Sequence, residues 1–251
     1  MKISRLNSIE QYVISHETAT IDELCEVFSV SKNTIRRDLN ELESRGHIAK
    51  VYGGVTATSS AGPVPTPVRS GLHPADKTLI GRLAAAEVED GDTIFLDSGT
   101  TTVCMLKFLA AKKRITIVTH SLGALSEASH YENLNVISLG GIYSRPTDSF
   151  VGLSTFEALS TMKINKAFMA ATGVSIENGL MNTTFLEAEI KRGVVQRAAH
   201  IYLLADGSKL DHDAVISFCH LEDLTSFVTD RRPPDRYMKF FAANGVHVRY
   251  E

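Results

Sequence analysis

The sequence predicts two domains, an N-terminal winged helix-turn-helix and a C-terminal α/β domain with a mostly parallel sheet. The first prediction comes from residues 31–55, where a helix with one apolar stripe is followed by a short β-ribbon. The second comes from the chain after Asp76, where strand-like apolar runs alternate with helical segments, as in α/β layer architectures. A stretch rich in Ser, Gly and Pro separates the two patterns. We therefore divide the chain into residues 1–56, a linker or strap over 57–75, and residues 76–251.

The composition is that of an ordinary folded protein. The 251 residues are 43% hydrophobic with a net charge of −3, enough for one large or two smaller domains. The N-terminus lacks the apolar segment of a signal peptide, and no run approaches the roughly 18 apolar residues of a membrane span. Cys25, Cys104 and Cys219 are scattered and fit no metal spacing. We expect a cytoplasmic protein with no metal and no cofactor.

Two helices are predicted ahead of the apolar-striped helix. Leu6, Ile9 and Val13 recur on one face and mark the first of them. Thr20 and Glu23 match a capping box, in which each side chain bonds the backbone N–H of the other, and apolar residues follow at helical spacing. The second and third helices, joined by a tight turn, form a helix-turn-helix, a motif whose second helix enters the major groove of DNA.

The third helix begins at Ser31, which can cap it, and Gly46 can end it. Ile35, Leu39 and Leu42 share its buried face. The opposite face carries hydrogen-bond donors near the helix N-terminus, where a phosphate is favoured. On an isolated helix such a face is more often simply solvated, but the motif around it favours DNA. The predicted DNA contacts in the helix and ribbon are Ser31, Lys32, Asn33, Thr34, Arg36, Arg37, Lys50 and Tyr52.

The ribbon completes the winged helix. Residues 48–51 are a strand candidate, and Gly53 with Gly54 gives a tight turn before Val55 returns. Residues 1–56 hold seven Lys or Arg against eight Asp or Glu. The DNA-binding prediction therefore depends on where the charges lie, since the domain lacks the usual basic balance. With so few phosphate contacts, we expect a two-fold oligomer that binds paired half-sites.

In the second domain, helices and strands follow from the apolar periodicity. The predicted helices are residues 79–88, 103–109, 122–129, 154–162, 185–199 and 235–243. The predicted strands are residues 93–96, 115–119, 135–139, 166–171, 201–205, 226–229 and 246–249.

Five of these strands are followed by polar loops, and ligands of open α/β sheets bind at such strand ends. The segment 97–102, DSGTTT, offers hydroxyls and N–H groups at a helix start, an anion site without the lysine of a P-loop. Lys209 is a cation suited to a phosphate or carboxylate. The candidate effector-binding residues are Asp97, Ser98, Gly99, Thr100, Thr101, Thr102, His120, Ser121, Gly140, Gly141, Thr172, Gly173, Glu187, Asp206 and Lys209.

Simpler explanations exist for these residues. Ser and Thr after a strand commonly cap the next helix. His120 alone is more often a satisfied loop histidine than a catalyst, and we give it no catalytic role. Glu187 and Lys191, four residues apart on one helix, are more often a surface ion pair. Five polar strand ends together favour a ligand site.

In this order, the motifs resemble those of DeoR-type bacterial transcriptional regulators over nearly the whole chain. Residues 30–39, VSKNTIRRDL, are similar to the recognition helix of the family, and residues 52–55, YGGV, to its wing. The segments similar to its effector domain are Arg69 with Lys77, 96–102, Thr119, 140–141, 149–152, and Asp206 with 208–209. Those most similar to repressors of myo-inositol catabolism are 22–28, 166–173 and 202–206.

The resemblance implies a repressor of a carbohydrate catabolic operon, here that of myo-inositol. It implies an effector domain related in fold to ribose-5-phosphate isomerase, and a phosphorylated sugar or sugar acid that releases the protein from double-stranded operator DNA. It also implies a homodimer or homotetramer, without membrane association, that lies at the nucleoid when bound. Two positions depart from the family pattern: His120 stands where many members have Asn, and Gly207 is a small residue inside the Asp-x-Ser-Lys motif.

Two alternatives remain open, and a third is not favoured. An isomerase-like enzyme could use Asp97, Glu187, Asp206 and Lys209 to move a proton between sugar carbons, although the DNA-binding domain would then need another explanation. The protein could instead regulate an operon for the catabolism of a different sugar phosphate. A pure oligomerisation module would not explain why polar residues gather at strand ends.

Overall fold

The computed structural model describes residues 2–16, 18–44, 48–51, 54–57, 63 and 66–251. The chain divides into two compact units, a first unit of Met1–Val64 and a second unit of Pro65–Glu251. No helix in the described ranges is long and apolar enough to span a membrane.

The first unit contains three helices and a three-stranded antiparallel sheet in the order β1-β3-β2. Its elements are α1 (Lys2–His16), β1 (Thr18–Thr20), α2 (Ile21–Phe28), α3 (Lys32–Ser44), β2 (Ile48–Val51) and β3 (Gly54–Ala57). The predicted helices and ribbon are confirmed, while β1 was not predicted. It pairs with β3 where a Cβ on Gly54 would lie 2.4 Å from the Ala19 carbonyl oxygen, so only glycine fits this contact.

Local signals in the first unit act as predicted. The Thr20 hydroxyl accepts from the Glu23 amide, and the Glu23 carboxylate accepts from the Thr20 amide, both at 3.2 Å. The Ser31 hydroxyl accepts from the Thr34 amide at 3.3 Å and caps α3. The predicted apolar stripe of α3 is buried in the core of this unit. The predicted roles of Gly46, Tyr52 and Gly53 lie outside the described residues.

The second unit is built on a seven-stranded parallel sheet in the order β15-β14-β12-β9-β4-β5-β6. Its strands are β4 (Thr93–Leu96), β5 (Ile115–Thr119), β6 (Leu134–Ser138), β9 (Ile164–Met169), β12 (Ala198–Leu204), β14 (Ser226–Val228) and β15 (His247–Arg249). Two smaller antiparallel sheets contain β7 (Ile142–Ser144), β8 (Ser149–Val151), β10 (Gly173–Ser175), β11 (Gly179–Asn182) and β13 (Ile216–Cys219). The helices are α4 (Thr66–Ser70), α5 (Pro74–Ala86), α6 (Thr100–Val103), α7 (Leu106–Leu109), α8 (Leu122–Ala128), α9 (Leu153–Ser160), α10 (Phe185–Val195) and α11 (Asp235–Ala243).

Both faces of the sheet are covered, because alternate residues of each strand enter different cores. In β4, Ile94 and Leu96 join the core that includes Ile80 of α5, while Phe95 joins the core that includes Ile190 of α10. The predicted α/β class with a mostly parallel sheet is confirmed.

Several predicted boundaries in the second unit are wrong. The strap contains helix α4, although residues 57–72 show no apolar period. The predicted helix over 103–109 is two short helices, and that over 185–199 ends at Val195 because β12 begins at Ala198. The strands of the two small sheets were missed because they are only three or four residues long, too short to show a period.

Candidate functional site

The polar strand ends meet at the point where the strand order reverses. From β4 the chain proceeds to β5 and β6 on one side, while β9 and the later strands lie on the other. Such a switch point is where open α/β sheets bind ligands. The residues that follow β4 and β9 are in direct contact there, since the Asp97 carboxylate accepts from the Ala170 amide at 2.8 Å.

Asp97 is completely buried and has four protein partners. One carboxylate oxygen accepts from the Ser98 amide at 2.8 Å and lies 3.2 Å from His120 Nε2. The other accepts from the Ala170 amide and lies 2.8 Å from the Lys191 ammonium. Both carboxylate oxygens of Asp97 therefore already have protein partners, so neither is free for the predicted contact with an effector. Asp97 instead ties the ends of three strands to α10.

Burial alone would raise the pKa of Asp97, but the Lys191 charge and the hydrogen bond with His120 outweigh it and hold that pKa well below its ordinary value. His120 is itself fully buried, with Nδ1 3.0 Å from the Phe150 carbonyl oxygen and its ring stacked on Phe95. It is a satisfied histidine, as the simpler explanation expects.

Glu187 and Lys191 do not form a surface ion pair, so that alternative is wrong. They are only 5% and 3% exposed, and Lys191 pairs with Asp97. The Glu187 carboxylate accepts from Asn182 Nδ2 at 3.0 Å, from the Thr184 hydroxyl at 2.9 Å and from the Ser98 hydroxyl at 3.3 Å. We call Asp97, His120, Glu187 and Lys191 the buried network.

A second group of charges consists of Arg69, Lys77 and Lys209, which we call the cation cluster. Lys77 lies on α5 and donates to the carbonyl oxygen of Arg69 on α4. Lys209 follows β12 in the turn that Asp206 caps by accepting from the Ser208 amide at 3.0 Å. Within the described ranges, the Lys209 ammonium has no hydrogen bond and no ion pair.

The three cations lie close enough to disturb one another. Burial, together with the charges of Lys209 and Arg69, lowers the pKa of Lys77 to about 8 against the opposing charge of Asp206. Burial and the Arg69 charge likewise lower the pKa of Lys209. Burial would raise the pKa of Asp206, but the Ser208 hydroxyl and Lys209 bring it below its ordinary value. The Lys209 ammonium, which has no ion pair among the described residues and lies near two other cations, is therefore a place where an anion would be stabilised.

Arg69 links the two groups. Its guanidinium donates to the Thr66 hydroxyl at 2.8 Å and is within electrostatic range of Glu187 and Asp97. Helix α4 is anchored at its start, where the Thr66 amide donates to the Pro146 carbonyl oxygen at 3.0 Å. The cation cluster therefore borders the buried network on the carboxyl side of the sheet.

The threonines after Gly99 fall into two kinds. The Thr102 hydroxyl donates to the carbonyl oxygens of Asp97 and Gly99, each at 2.7 Å, and closes the turn into α6. Thr100 begins α6, and the Thr101 hydroxyl has no partner among the residues that the structure describes. Because α6 packs against α4 and α5, which carry two members of the cation cluster, Thr100 and Thr101 remain candidates for ligand contact.

Other predicted site residues have structural roles. The Ser121 hydroxyl caps α8 by accepting from the Ala124 amide at 3.1 Å. The Thr172 hydroxyl donates to the Asn182 side chain at 3.2 Å. Gly140 and Gly141, with φ of +56° and +124°, turn the chain after β6.

Two glycines allow close approach of backbone or side chain. A Cβ on Gly99 would lie 2.3 Å from the Ala170 Cβ, and one on Gly173 would lie 2.0 Å from the His212 carbonyl oxygen. Their presence at strand ends is explained by packing.

Sequence reasoning missed several residues of this region. Lys191 and Asn182 were not chosen as site residues, and Arg69 and Lys77 were noted only as matching family motifs. Lys191 had one usable signal, since it lies in a helix whose neighbours Ala188 and Ile190 are apolar. Asn182 had none, because its strand was not predicted. Among the described residues no group of His, Cys, Asp or Glu could hold a metal ion.

In the first unit, Asn33, Arg36 and Arg37 are exposed on α3, and Thr34 is half-buried. Ser31, just before the helix, is also exposed. Two predicted DNA-contact lysines are paired within the unit. Lys32 lies 2.5 Å from Asp22, and Lys50 lies 2.7 Å from Glu43.

One carboxylate of α3 faces inward. Asp38 is fully buried and accepts from Arg5 Nε of α1 at 2.7 Å, so it fixes α3 against α1.

Both units match family models. The model of the DeoR-like helix-turn-helix domain matches residues 5–61, and that of the DeoR C terminal sensor domain matches residues 72–231. The chain is 42% identical to the HTH-type transcriptional regulator IolR of Bacillus subtilis strain 168, over 99% of this chain and all of that protein. It is 28% identical to the glycerol-3-phosphate regulon repressor of Escherichia coli K12, over 97% of both chains.

Among solved structures, ribose 5-phosphate isomerase A from Methanocaldococcus jannaschii is similar over 53% of both chains, with 20% identity and a TM-score of 0.39.

Proposed function

This chain belongs to the DeoR family of transcriptional regulators, and from that premise we propose that it represses a carbohydrate catabolic operon and is released from its operator by a phosphorylated sugar or sugar acid. We further propose that the operon is that of myo-inositol catabolism, which the 42% identity to IolR supports. Below, the first unit is called the DNA-binding unit and the second the sensor unit.

The observation that carries the effector proposal is the cation cluster. Lys209 has no partner among the described residues, and Lys77 has its pKa lowered to about 8 by burial and by like charges. A dianionic phosphate placed beside Lys209 would give its ammonium the anionic partner that the described residues do not supply. A neutral sugar would not, so the unphosphorylated compound is expected to bind far more weakly.

The remainder of the ligand would lie toward the buried network. Arg69 is within electrostatic range of both Glu187 and Asp97, so a ligand held by the cation cluster is close to these groups. In this proposal Glu187, Thr100 and Thr101 are the groups that contact hydroxyls of the sugar, and Asp97 acts indirectly by holding Lys191 and the strand ends in place.

The DNA-binding part of the proposal is supported by α3. Arg36 and Arg37 are exposed on the helix that follows the turn of the helix-turn-helix, and the Ile35 stripe on the other face is buried. This is the arrangement in which a recognition helix presents donors to base edges and phosphates.

The relatives found by comparison are named transcriptional regulators or repressors, and the protein is a regulator rather than an enzyme. The buried network agrees with this, because a general base needs a carboxylate that can reach a substrate proton, and the Asp97 oxygens are already occupied.

The proposal is tested by titrating a complex of the full chain and operator DNA with candidate effectors while fluorescence anisotropy reports the bound fraction. Inositol-derived phosphates and other sugar phosphates are compared with their unphosphorylated forms. We expect the phosphorylated effector to weaken operator binding by about 5–150-fold. Lys209→Met should bind the operator normally and resist release.

Lys163→Met is the matched control, since Lys163 is exposed and lies at the amino end of β9, away from the cation cluster. It should be released like the wild type. Release by the unphosphorylated sugar that is undiminished in Lys209→Met would contradict phosphate sensing. Turnover of a sugar phosphate by the pure protein would restore the enzyme alternative.

A further inference from the structure

The sensor unit carries an exposed apolar surface formed by residues of β7, α9 and α10. Its members are large hydrophobic side chains that are 37–71% exposed, and we call them the apolar patch: Ile142, Leu153, Phe156 and Leu186. Single exposed apolar residues are normal on a protein surface, but a contiguous group of this size marks an interaction site.

The patch is contiguous. A groove of about 350 Å³ is lined by Leu153 and Phe156 of α9 together with Leu186 and Ile190 of α10. Ile142 borders it, because a Cβ on the adjoining Gly152 would lie 3.7 Å from the Ile142 side chain. Two helices and a hairpin strand therefore present one surface.

The patch carries little charge. Glu189 is the one charged residue among those lining the groove in the described chain, and its carboxylate is paired with Arg192 on the same helix. When a surface contacts the same surface of a second copy across a two-fold axis, unpaired like charges near the axis would repel. The groove avoids this repulsion, since its one charge is already paired.

The area also fits a second copy. Four side chains with these exposures present on the order of 400 Å² of apolar surface. An interface of standard size buries about 800 Å² on each partner, of which about 60% is apolar. The apolar patch is therefore close to the apolar share of one side of a standard interface.

We propose that the apolar patch is the self-association surface of this protein, covered by the same patch of a second copy of the chain. The DNA-binding unit gives an independent reason for pairing, since residues 1–56 carry no net positive charge and gain affinity when two copies bind two half-sites. Helix α10 carries Leu186 of the patch and Glu187 and Lys191 of the buried network. Self-association and the candidate effector site thus share one helix.

The test is the mass of the full chain by sedimentation velocity at low micromolar concentration, without DNA or effector. The double variant Leu153→Asp/Leu186→Asp changes two side chains that are 71% and 50% exposed, so the fold does not depend on them. We expect the wild type to sediment as a dimer or a larger even oligomer. The double variant should have half that mass, with the dissociation constant raised at least about 100-fold.

Val27→Asp is the matched control, because Val27 is 49% exposed in the DNA-binding unit, and it should keep the wild-type mass. Hydrogen exchange of the wild type gives a measurement that needs no variant: amides of α9 and the first turn of α10 should lose protection on dilution. A wild-type monomer, or a double variant that keeps the wild-type mass, would overturn the proposal and assign the patch to another partner. Since neither readout involves an effector, failure here is distinct from failure of phosphate sensing.

Discussion

The recognition surface and the strand-end site both depend on charged side chains, but they hold them differently. In the DNA-binding unit, Lys32 pairs with Asp22 and Lys50 with Glu43 through side chains that are 39–70% exposed. In the sensor unit, Lys191 and Asp97 pair at 2.8 Å with side chains only 4% and 0% exposed. Water screens the exposed pairs, so either lysine can exchange its carboxylate for a phosphate at little cost. The buried pair cannot exchange partners and therefore maintains the fold.

The same distinction separates two lysines of the sensor unit. Lys191 is buried and paired, whereas Lys209 is half-buried and has no hydrogen bond or ion pair within the described residues. The lysines proposed to bind a ligand are thus either in exposed ion pairs, as Lys32 and Lys50 are, or without an ion pair, as Lys209 is.

The largest expected effect is on the buried pair. Lys191→Met leaves the Asp97 carboxylate buried without its cation, and we expect the free energy of unfolding of the sensor unit to fall by about 3–5 kcal/mol. Urea denaturation of the full chain measures this. Lys32→Met, which breaks an exposed pair, is the control and should cost less than about 1 kcal/mol. Equal effects of the two substitutions would remove the distinction between the regions.

The next effect concerns operator recognition. Arg36 is exposed on α3, and Arg36→Ala should weaken specific operator binding by about 1–3 kcal/mol, or roughly 5–150-fold, without changing stability. Electrophoretic mobility shifts at fixed salt measure it, with an unrelated DNA of equal length as competitor. Unchanged operator affinity in a folded Arg36→Ala protein would show that α3 does not read the operator.

The comparison also predicts a pH dependence confined to the sensor unit. Lys77 has its pKa lowered to about 8, so it is charged at pH 7 and mostly neutral at pH 9.5. A phosphate monoester remains a dianion over this range, since its second pKa is about 6. Effector affinity should therefore fall as pH rises through 8. Lys77→Arg keeps its charge and should flatten the profile. Calorimetry at several pH values measures this affinity. If the affinity of Lys77→Arg fell as much as that of the wild type, the pH dependence would belong to another group.

The smallest expected effect comes from freeing Lys32. Asp22→Asn removes the exposed partner of that lysine, so stability should change by no more than about 0.5 kcal/mol. Affinity for DNA of any sequence should rise a few-fold, with a steeper salt dependence. Salt titrations on operator and unrelated DNA measure both slopes. Identical slopes in wild type and variant would mean that Lys32 does not contact phosphate.

Local features of the fold could be predicted from the sequence because they arise within one or two turns of helix. The Thr20–Glu23 capping box, the Ser31 cap and the stripe from Ile35 to Leu42 each depend on spacings of three to seven residues. Helix α4 was missed because its five residues show no period in a Pro-rich segment.

The candidate site was only partly predictable, since its contacts join residues far apart in the chain. The loop at Asp97 was identified from its polarity, but its partners Lys191 and Ala170 come from other elements. Whether a lysine is paired or free depends on these distant contacts, so the spacing of Glu187 and Lys191 gave the wrong interpretation. The predicted roles of the site residues remain predictions until a ligand is bound.

The most direct test of the cation cluster is isothermal titration calorimetry of the full chain, without DNA, with one effector in phosphorylated and unphosphorylated form. We expect the phosphorylated form to bind the wild type and Lys163→Met alike. Lys209→Met should weaken this binding at least about tenfold, because a charge-assisted contact is lost. The unphosphorylated form should bind weakly to all three proteins. Equal affinity of both forms for the wild type, unchanged in Lys209→Met, would contradict this expectation.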